Sequence, residues 1–134
     1  MLTHTTTYRV RYFDTDKMGF AYHANYFRWF EIGRSELFRH LGLSYKEIET
    51  QGCYLPLSEI HCKFKSPSEY DDLLVIETTL DPEVKAVMKF EYQIYTENGK
   101  KLLATGFTKH ACVDRNGRVI RPPGFLVEAI RKSK

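Results

Sequence analysis

The 134-residue sequence predicts an α+β domain in which one long helix lies against a mostly antiparallel sheet of about five strands. Three observations carry that prediction. The segment Asn25 to Leu41 repeats its apolar residues at helical spacing, several other segments alternate with a period of two, and Asn-Gly pairs at 98–99 and 116–117 mark tight turns. A chain of this length makes one domain, residues 1–134, and 43% hydrophobic with 28% charged residues is ordinary globular composition. Nine Tyr and nine Phe supply the large side chains that close a small core, with self-association expected to help.

From Thr5 to Phe13, Tyr8, Val10 and Tyr12 fall on one side and Arg9, Arg11 and Phe13 on the other, which predicts a strand. Asp14-Thr15-Asp16-Lys17-Met18-Gly19 then favours a turn. In the helix that follows, Tyr26, Phe30, Gly33, Leu37 and Leu41 form the buried stripe, Phe27 and Trp29 flank it, and Arg28, Glu31, Ser35 and Arg39 face away. Gly42 stands where a C-terminal cap belongs. Gly33 costs about 1 kcal/mol relative to Ala in an exposed helix, so its expected use is close approach to another backbone. Ser44 to Gln51 reads as a short helix or loop.

Strands account for most of the remainder. Leu55 to Phe64 sets Ser58, Ile60, Cys62 and Phe64 against Glu59, His61 and Lys63, and Ser66-Pro67-Ser68 breaks it. Leu74, Ile76, Thr78 and Leu80 alternate with Val75, Glu77 and Thr79; Ala86, Met88, Phe90, Tyr92 and Ile94 alternate with Val87, Lys89, Glu91 and Gln93. Asn98-Gly99 suits a type I′ hairpin turn into a returning strand, Leu102 to Val113. Pro122-Pro123-Gly124 introduces a C-terminal helix, Phe125 to Arg131, and the tail Arg131-Lys132-Ser133-Lys134 is expected to fray.

Several function classes lose support. Twenty basic residues are interspersed with 17 acidic ones, a net charge of +3, which is no nucleic-acid footprint. Cys53, Cys62 and Cys112 are an odd set without C-x-x-C spacing, so neither a disulfide framework nor a zinc site is expected, and reduced thiols fit a cytoplasmic protein. The N-terminus lacks a signal peptide's apolar run, and no segment approaches the roughly 18 apolar residues of a membrane span. The G-x-S-x-G, phosphate-loop, H-E-x-x-H and G-x-G-x-x-G motifs are absent. His4, His23, His40, His61 and His110 are scattered, with no pair at i, i+3 or i+4, so a metal site would need long-range convergence.

The chemistry is therefore sought at the junction Asp14 to Tyr26, where two carboxylates precede a helix. The first N–H groups of a helix lack internal partners and can polarise a carbonyl. An acid beside them can attack an acyl carbon or activate water. On spacing alone a plainer reading stands beside this one: Asp14 or Asp16 turns the chain and caps the helix, and His23 is a structural side chain.

Arg9-Val10-Arg11-Tyr12-Phe13-Asp14-Thr15-Asp16-Lys17-Met18-Gly19, followed by Tyr22-His23-Ala24-Asn25-Tyr26, resembles the active-site signature of the 4-hydroxybenzoyl-CoA thioesterase family of hotdog-fold proteins. The likeness runs from near Tyr8, through Ser66 to Thr78, to about Arg121. Its D-T-D-x-x-G-x-x-Y-H-x-x-Y pattern looks most like the bacterial acyl-CoA thioesterase branch associated with the Tol-Pal envelope system. The resemblance implies the hotdog fold, a long central helix wrapped by an antiparallel sheet, in a homodimer or homotetramer. It also implies hydrolysis of an acyl-CoA thioester to free acid and coenzyme A without a cofactor. By position, Asp16 matches the catalytic carboxylate, acting as nucleophile or general base, and Asp14 a supporting residue. The His23 backbone N–H matches the donor to the carbonyl, with the His23 side chain orienting Asp16 or the leaving thiol. Gly19 lets the chain approach substrate, and Tyr22, Asn25 and Tyr26 shape the pocket. Val84-Lys85-Ala86-Val87 departs from the Gly and Ser or Thr with which many relatives hold coenzyme A, leaving Lys85, Lys63, Lys65 and Arg115 as candidates for its phosphates. The alternatives are a non-catalytic module that binds acyl-CoA or an acyl-carrier protein and, more weakly, dehydration of an acyl thioester.

Overall fold

The computed structural model describes residues 1–98 and 100–132. Five strands, β1 (Leu2–Arg9), β2 (Leu57–Phe64), β3 (Leu73–Leu80), β4 (Val87–Thr96) and β5 (Leu102–Ala111), form one antiparallel sheet in the order β1-β3-β4-β5-β2. Helix α1 (Asn25–His40) packs on one face of it, followed by α2 (Tyr45–Thr50); α3 (Gly124–Lys132) ends the described chain. Along β3 and β4 burial alternates as the sequence predicts, with Leu74, Ile76, Thr78, Leu80, Met88, Phe90, Tyr92 and Ile94 inside. Gly42 ends α1 with φ +85°, and Ser44 caps α2 by accepting the Glu47 N–H at 3.1 Å.

The buried stripe of α1 is wider than the expected one: Trp29 and Phe38 are fully buried beside Tyr26, Phe30, Gly33 and Leu37, while Leu41 is only partly covered. Phe30 stacks on Tyr92 with centroids 4.3 Å apart and planes at 8°. Gly106 makes room for that stack, because a Cβ there would collide with the Phe30 ring and the His61 carbonyl. A Cβ at Gly33 would collide with Thr78 Oγ1 and lie 2.7 Å from Ile76 Cγ2. Its close approach is therefore to side chains of β3, not to a backbone.

Several boundaries differ from expectation for local reasons. β1 runs from Leu2 to Arg9, not Thr5 to Phe13. The carboxylate of Asp14 accepts the Arg11 N–H at 2.9 Å and folds Tyr12–Asp14 into a 3-10 turn, leaving Tyr12 and Phe13 79% and 76% exposed. β2 begins at Leu57 and β5 ends at Ala111, since Tyr54 and Val113 pair as an isolated bridge and the Cys112 N–H donates to Ala86 O. Arg131 and Lys132 of the tail are helical; Ser133, Lys134 and Gly99 of the Asn98-Gly99 turn lie outside the described residues. The cysteines are free, yet Cys53 and Cys112 meet in the core with Sγ atoms 3.0 Å apart, a convergence that sequence spacing did not show.

A polar chain crosses this core. Arg34 donates to the Tyr45 hydroxyl at 2.7 Å and the Tyr92 hydroxyl at 3.1 Å; Thr108 Oγ1 links Tyr92 to His110 Nε2; and His110 Nδ1 lies 3.0 Å from the Leu55 carbonyl. Burial, then the charge of Arg34, pushes the His110 pKa down to about 4, with the Leu55 hydrogen bond opposing. The unfolded chain takes up a proton there near 6.5, which the folded protein refuses until about 4. This contribution is complete above pH 6.5 and is lost as pH falls toward 4, by about 3 kcal/mol. Urea unfolding from pH 7 to 4 of the protein and its His110→Gln variant checks this: the variant should lose less stability over that window, and parallel pH profiles would remove His110 as the source.

Candidate active site

The loop from Val10 to Ala24 joins β1 to α1, and Asp14 holds it. Asp14 is 1% exposed; Oδ2 accepts from the Tyr8 hydroxyl at 2.7 Å and the Arg11 N–H at 2.9 Å, and Oδ1 from Arg28 Nη2 at 2.5 Å. Its main-chain carbonyl accepts the Tyr22 N–H at 2.8 Å and Asn25 Nδ2 at 2.7 Å. One buried residue thus ties the end of the first strand to the start of the long helix. Two residues on, Asp16 is exposed, and among the described residues only its Oδ1 is engaged, by the Met18 N–H at 2.9 Å. A tight turn presents it: Gly19, with φ +83°, donates to the Asp16 carbonyl, and the Asp16 N–H donates to Phe20 O.

Neither aspartate caps α1, whose N-cap residue, Ala24, makes no side-chain bond. The expectation that the first amides of the helix itself are free is corrected, because those of Asn25, Tyr26 and Phe27 donate to the carbonyls of Tyr22, His23 and Ala24 at 3.0, 3.1 and 3.3 Å. The uncommitted amides sit just ahead of the helix. Among the described residues, the N–H groups of His23 and Ala24 donate to no protein acceptor.

The His23 ring is exposed, packed on Tyr22 at 4.4 Å between centroids and edge-on to Phe64 at 6.3 Å. Ala21, His23, Tyr26, Phe64, Lys65, Ser66 and Pro67 line a groove of about 280 Å³. At its inner end the Tyr26 hydroxyl meets Ser68 Oγ at 2.9 Å, and burial pushes the Tyr26 pKa up. The Ala21 N–H donates to Ser68 O at 2.8 Å, pinning the loop over 66–68. By local pattern that tripeptide reads as a strand breaker and Phe64 as a strand residue, and the resemblance, which takes in Ser66 to Ser68, gives neither a role in the site.

The structure gathers some expected residues and separates others. His23, Tyr26 and Lys65 share the groove, whereas Asp16, Gly19 and Tyr22 stand on the exposed loop ahead of it and Asn25 is spent on Asp14. Lys63 alternates to the opposite side of β2 from Phe64. Lys85 belongs to a different hollow, among Asp81, Glu83, Lys89 and Glu91, and Arg115 to a third beside Tyr45 and Tyr54. One chain does not bring these candidate phosphate contacts together. Lys85 precedes the Val87–Ala111 end of the sheet, while the groove sits at the Phe64–Ala104 end. Among the described residues no three of His, Cys, Asp and Glu converge as a metal site, and no helix is long and apolar enough to cross a membrane.

Comparison with known proteins bears on the family and the fold. YneP of Bacillus subtilis, provisionally named an acyl-CoA thioesterase, is 36% identical over 106 residues, 79% of this chain and 76% of its own. The acyl-CoA thioesterase YbgC of Haemophilus influenzae is 32% identical over 107 residues, 79% of this chain and 77% of its own. The crystal structure of a DHNA-CoA thioesterase from Staphylococcus aureus superposes with a TM-score of 0.90 at 30% identity, covering 98% of this chain and 91% of that one. A family model described as the thioesterase-like superfamily matches residues 10–130. A match of that extent shows membership: the chain belongs to the thioesterase-like superfamily, with the hotdog fold and with homologues named as acyl-CoA thioesterases.

Proposed function

We propose that the chain hydrolyses acyl-CoA thioesters to the free acid and coenzyme A, with Asp16 as the catalytic carboxylate and the His23 main-chain N–H polarising the carbonyl. The observation that carries this reading is an exposed carboxylate with one oxygen unbound, in the same anchored loop as an amide without a protein acceptor. A thioester carbonyl is electrophilic enough that one carboxylate and an aimed donor suffice. As general base, Asp16 takes a proton from water as its oxygen bonds to the acyl carbon. The negative charge develops on the carbonyl oxygen facing the His23 N–H and returns to expel the thiolate. As nucleophile, Asp16 forms an anhydride that water then cleaves. The His23 side chain orients Asp16 or serves the leaving thiol; Gly19, Tyr22, Asn25 and Tyr26 shape the space around the acyl group.

The groove is open along β2, an edge strand on which Leu57 and Phe64 are 51% and 48% exposed. A second copy pairing antiparallel along that edge would satisfy its unpaired backbone groups and close the groove, which supports a homodimer, with a homotetramer as a pair of dimers. Such pairing would turn the Lys85 end of each sheet toward the other chain's groove, where Lys65 and the second copy's Lys85 would meet the coenzyme's phosphates, with Lys63 on the opposite side of β2. The motif Asp14-Thr15-Asp16 with Tyr22-His23 supports the 4-hydroxybenzoyl-CoA family and its Tol-Pal-associated branch, and the free thiols of Cys53, Cys62 and Cys112 support a cytoplasmic setting; an acyl-carrier protein is the alternative bearer of the acyl group.

Thiol release from a panel of aromatic and aliphatic acyl-CoAs tests the reading. Turnover of at least one member well above the uncatalysed rate is expected. Tight acyl-CoA binding with no thiol released would establish a non-catalytic binding module instead.

A further inference from the structure

Cys53 and Cys112 lie outside the groove and its chemistry. Cys53 follows α2 with its N–H on the Ile48 carbonyl at 3.2 Å; Cys112 follows β5 with its N–H on Ala86 O at 3.2 Å and its carbonyl accepting the Ile120 N–H at 2.9 Å. The next residues, Tyr54 and Val113, exchange two main-chain hydrogen bonds of 2.9 and 3.0 Å. The backbones on both sides are therefore fixed independently of the sulfurs. Both side chains are 0% exposed, and their Sγ atoms lie 3.0 Å apart, closer than two sulfurs rest in ordinary packing. Cys62, the third cysteine, has no sulfur partner among the described residues.

We propose that Cys53 and Cys112 form a dithiol that a small hydroperoxide oxidises to an intramolecular disulfide, clamping the α2–β2 connection to the end of β5. One sulfur loses its proton and attacks the peroxide oxygen, breaking the O–O bond, forming a sulfenic acid and releasing one water. The second sulfur displaces the hydroxyl, which leaves as a second water, and the S–S bond forms. The two sulfurs together give up two electrons and two protons, and hydrogen peroxide is reduced to two waters. Both sulfurs are sealed from solvent in the closed fold, so an oxidant reaches them only through openings, and hydrogen peroxide needs a smaller opening than a bulky disulfide such as oxidised glutathione. Burial pushes the Cys53 pKa up to about 12 and that of Cys62 up to about 11, so the closed protein oxidises slowly and the reaction proceeds through brief openings. The bond would join residues 59 apart in sequence, and constraining so long a loop in the unfolded chain raises the melting temperature by about 10 °C.

The test treats the folded protein with hydrogen peroxide, removes the oxidant, and compares non-reducing peptide maps and thermal melts with and without a reductant. A Cys53–Cys112 linked peptide and a reductant-reversible rise in melting temperature are expected, retained in Cys62→Ser and absent from both Cys53→Ala and Cys112→Ala. Three outcomes would overturn the proposal: both thiols recovered free or as sulfinic acids, linkage through Cys62 in their place, or a melting gain that persists in Cys53→Ala.

Discussion

Asp16→Asn should lower kcat about 10²-fold or more while the melting temperature stays that of the parent protein. The substitution keeps the shape and one carbonyl oxygen, so the Met18 N–H retains an acceptor and the turn to Gly19 survives. It removes the negative charge, and with it the capacity to take a proton from water or to bond to an acyl carbon. Because Asp16 is exposed, the change removes no buried side chain. Steady-state kinetics with the best acyl-CoA of the panel, set beside a thermal melt, separates the two roles. Turnover near that of the parent would take Asp16 out of the mechanism and return it to the part of a turn residue.

The opposite pattern is expected two residues earlier. Asp14→Ala should cost about 3 kcal/mol of stability, roughly 10 °C in melting temperature, with activity lost alongside. The Tyr8 hydroxyl and the Arg11 N–H would both lose their acceptor in a part-buried setting. Arg28 is 44% exposed, so its charge returns partly to water and its share of the loss is screened. Asp14→Asn should fall between: its carbonyl can still receive Tyr8 or Arg11, but its NH₂ is set against the guanidinium. A melt of Asp14→Ala indistinguishable from that of the parent would show that the loop is held by the Tyr22 and Asn25 bonds to the Asp14 carbonyl, which this variant keeps.

The contrast between these aspartates marks how far the sequence can be read. Period-two alternation in β3 and β4 and the helical stripe in α1 follow from burial on one face, a property each segment carries in itself. The end of β1 was not legible, because Tyr12 and Phe13 continue an apolar pattern that the bond from Arg11 to Asp14 interrupts. From spacing alone the two acids of Asp-Thr-Asp are equivalent, and only the resemblance told them apart. In three dimensions they differ because Tyr8 and Arg28 converge on one of them. Phe64, Lys65 and the 66–68 loop reach the groove from about forty residues away along the chain, and the thiol pair spans 59, distances over which no local pattern carries information.

On the proposed mechanism, that inequality of the two aspartates separates anchoring from chemistry along the backbone. The side chains of Lys17 and Met18 hang from a fixed peg without contributing to it, so lineages or protein engineers can exchange them while the framework, with Asp16 and Gly19 in their turn, stays intact.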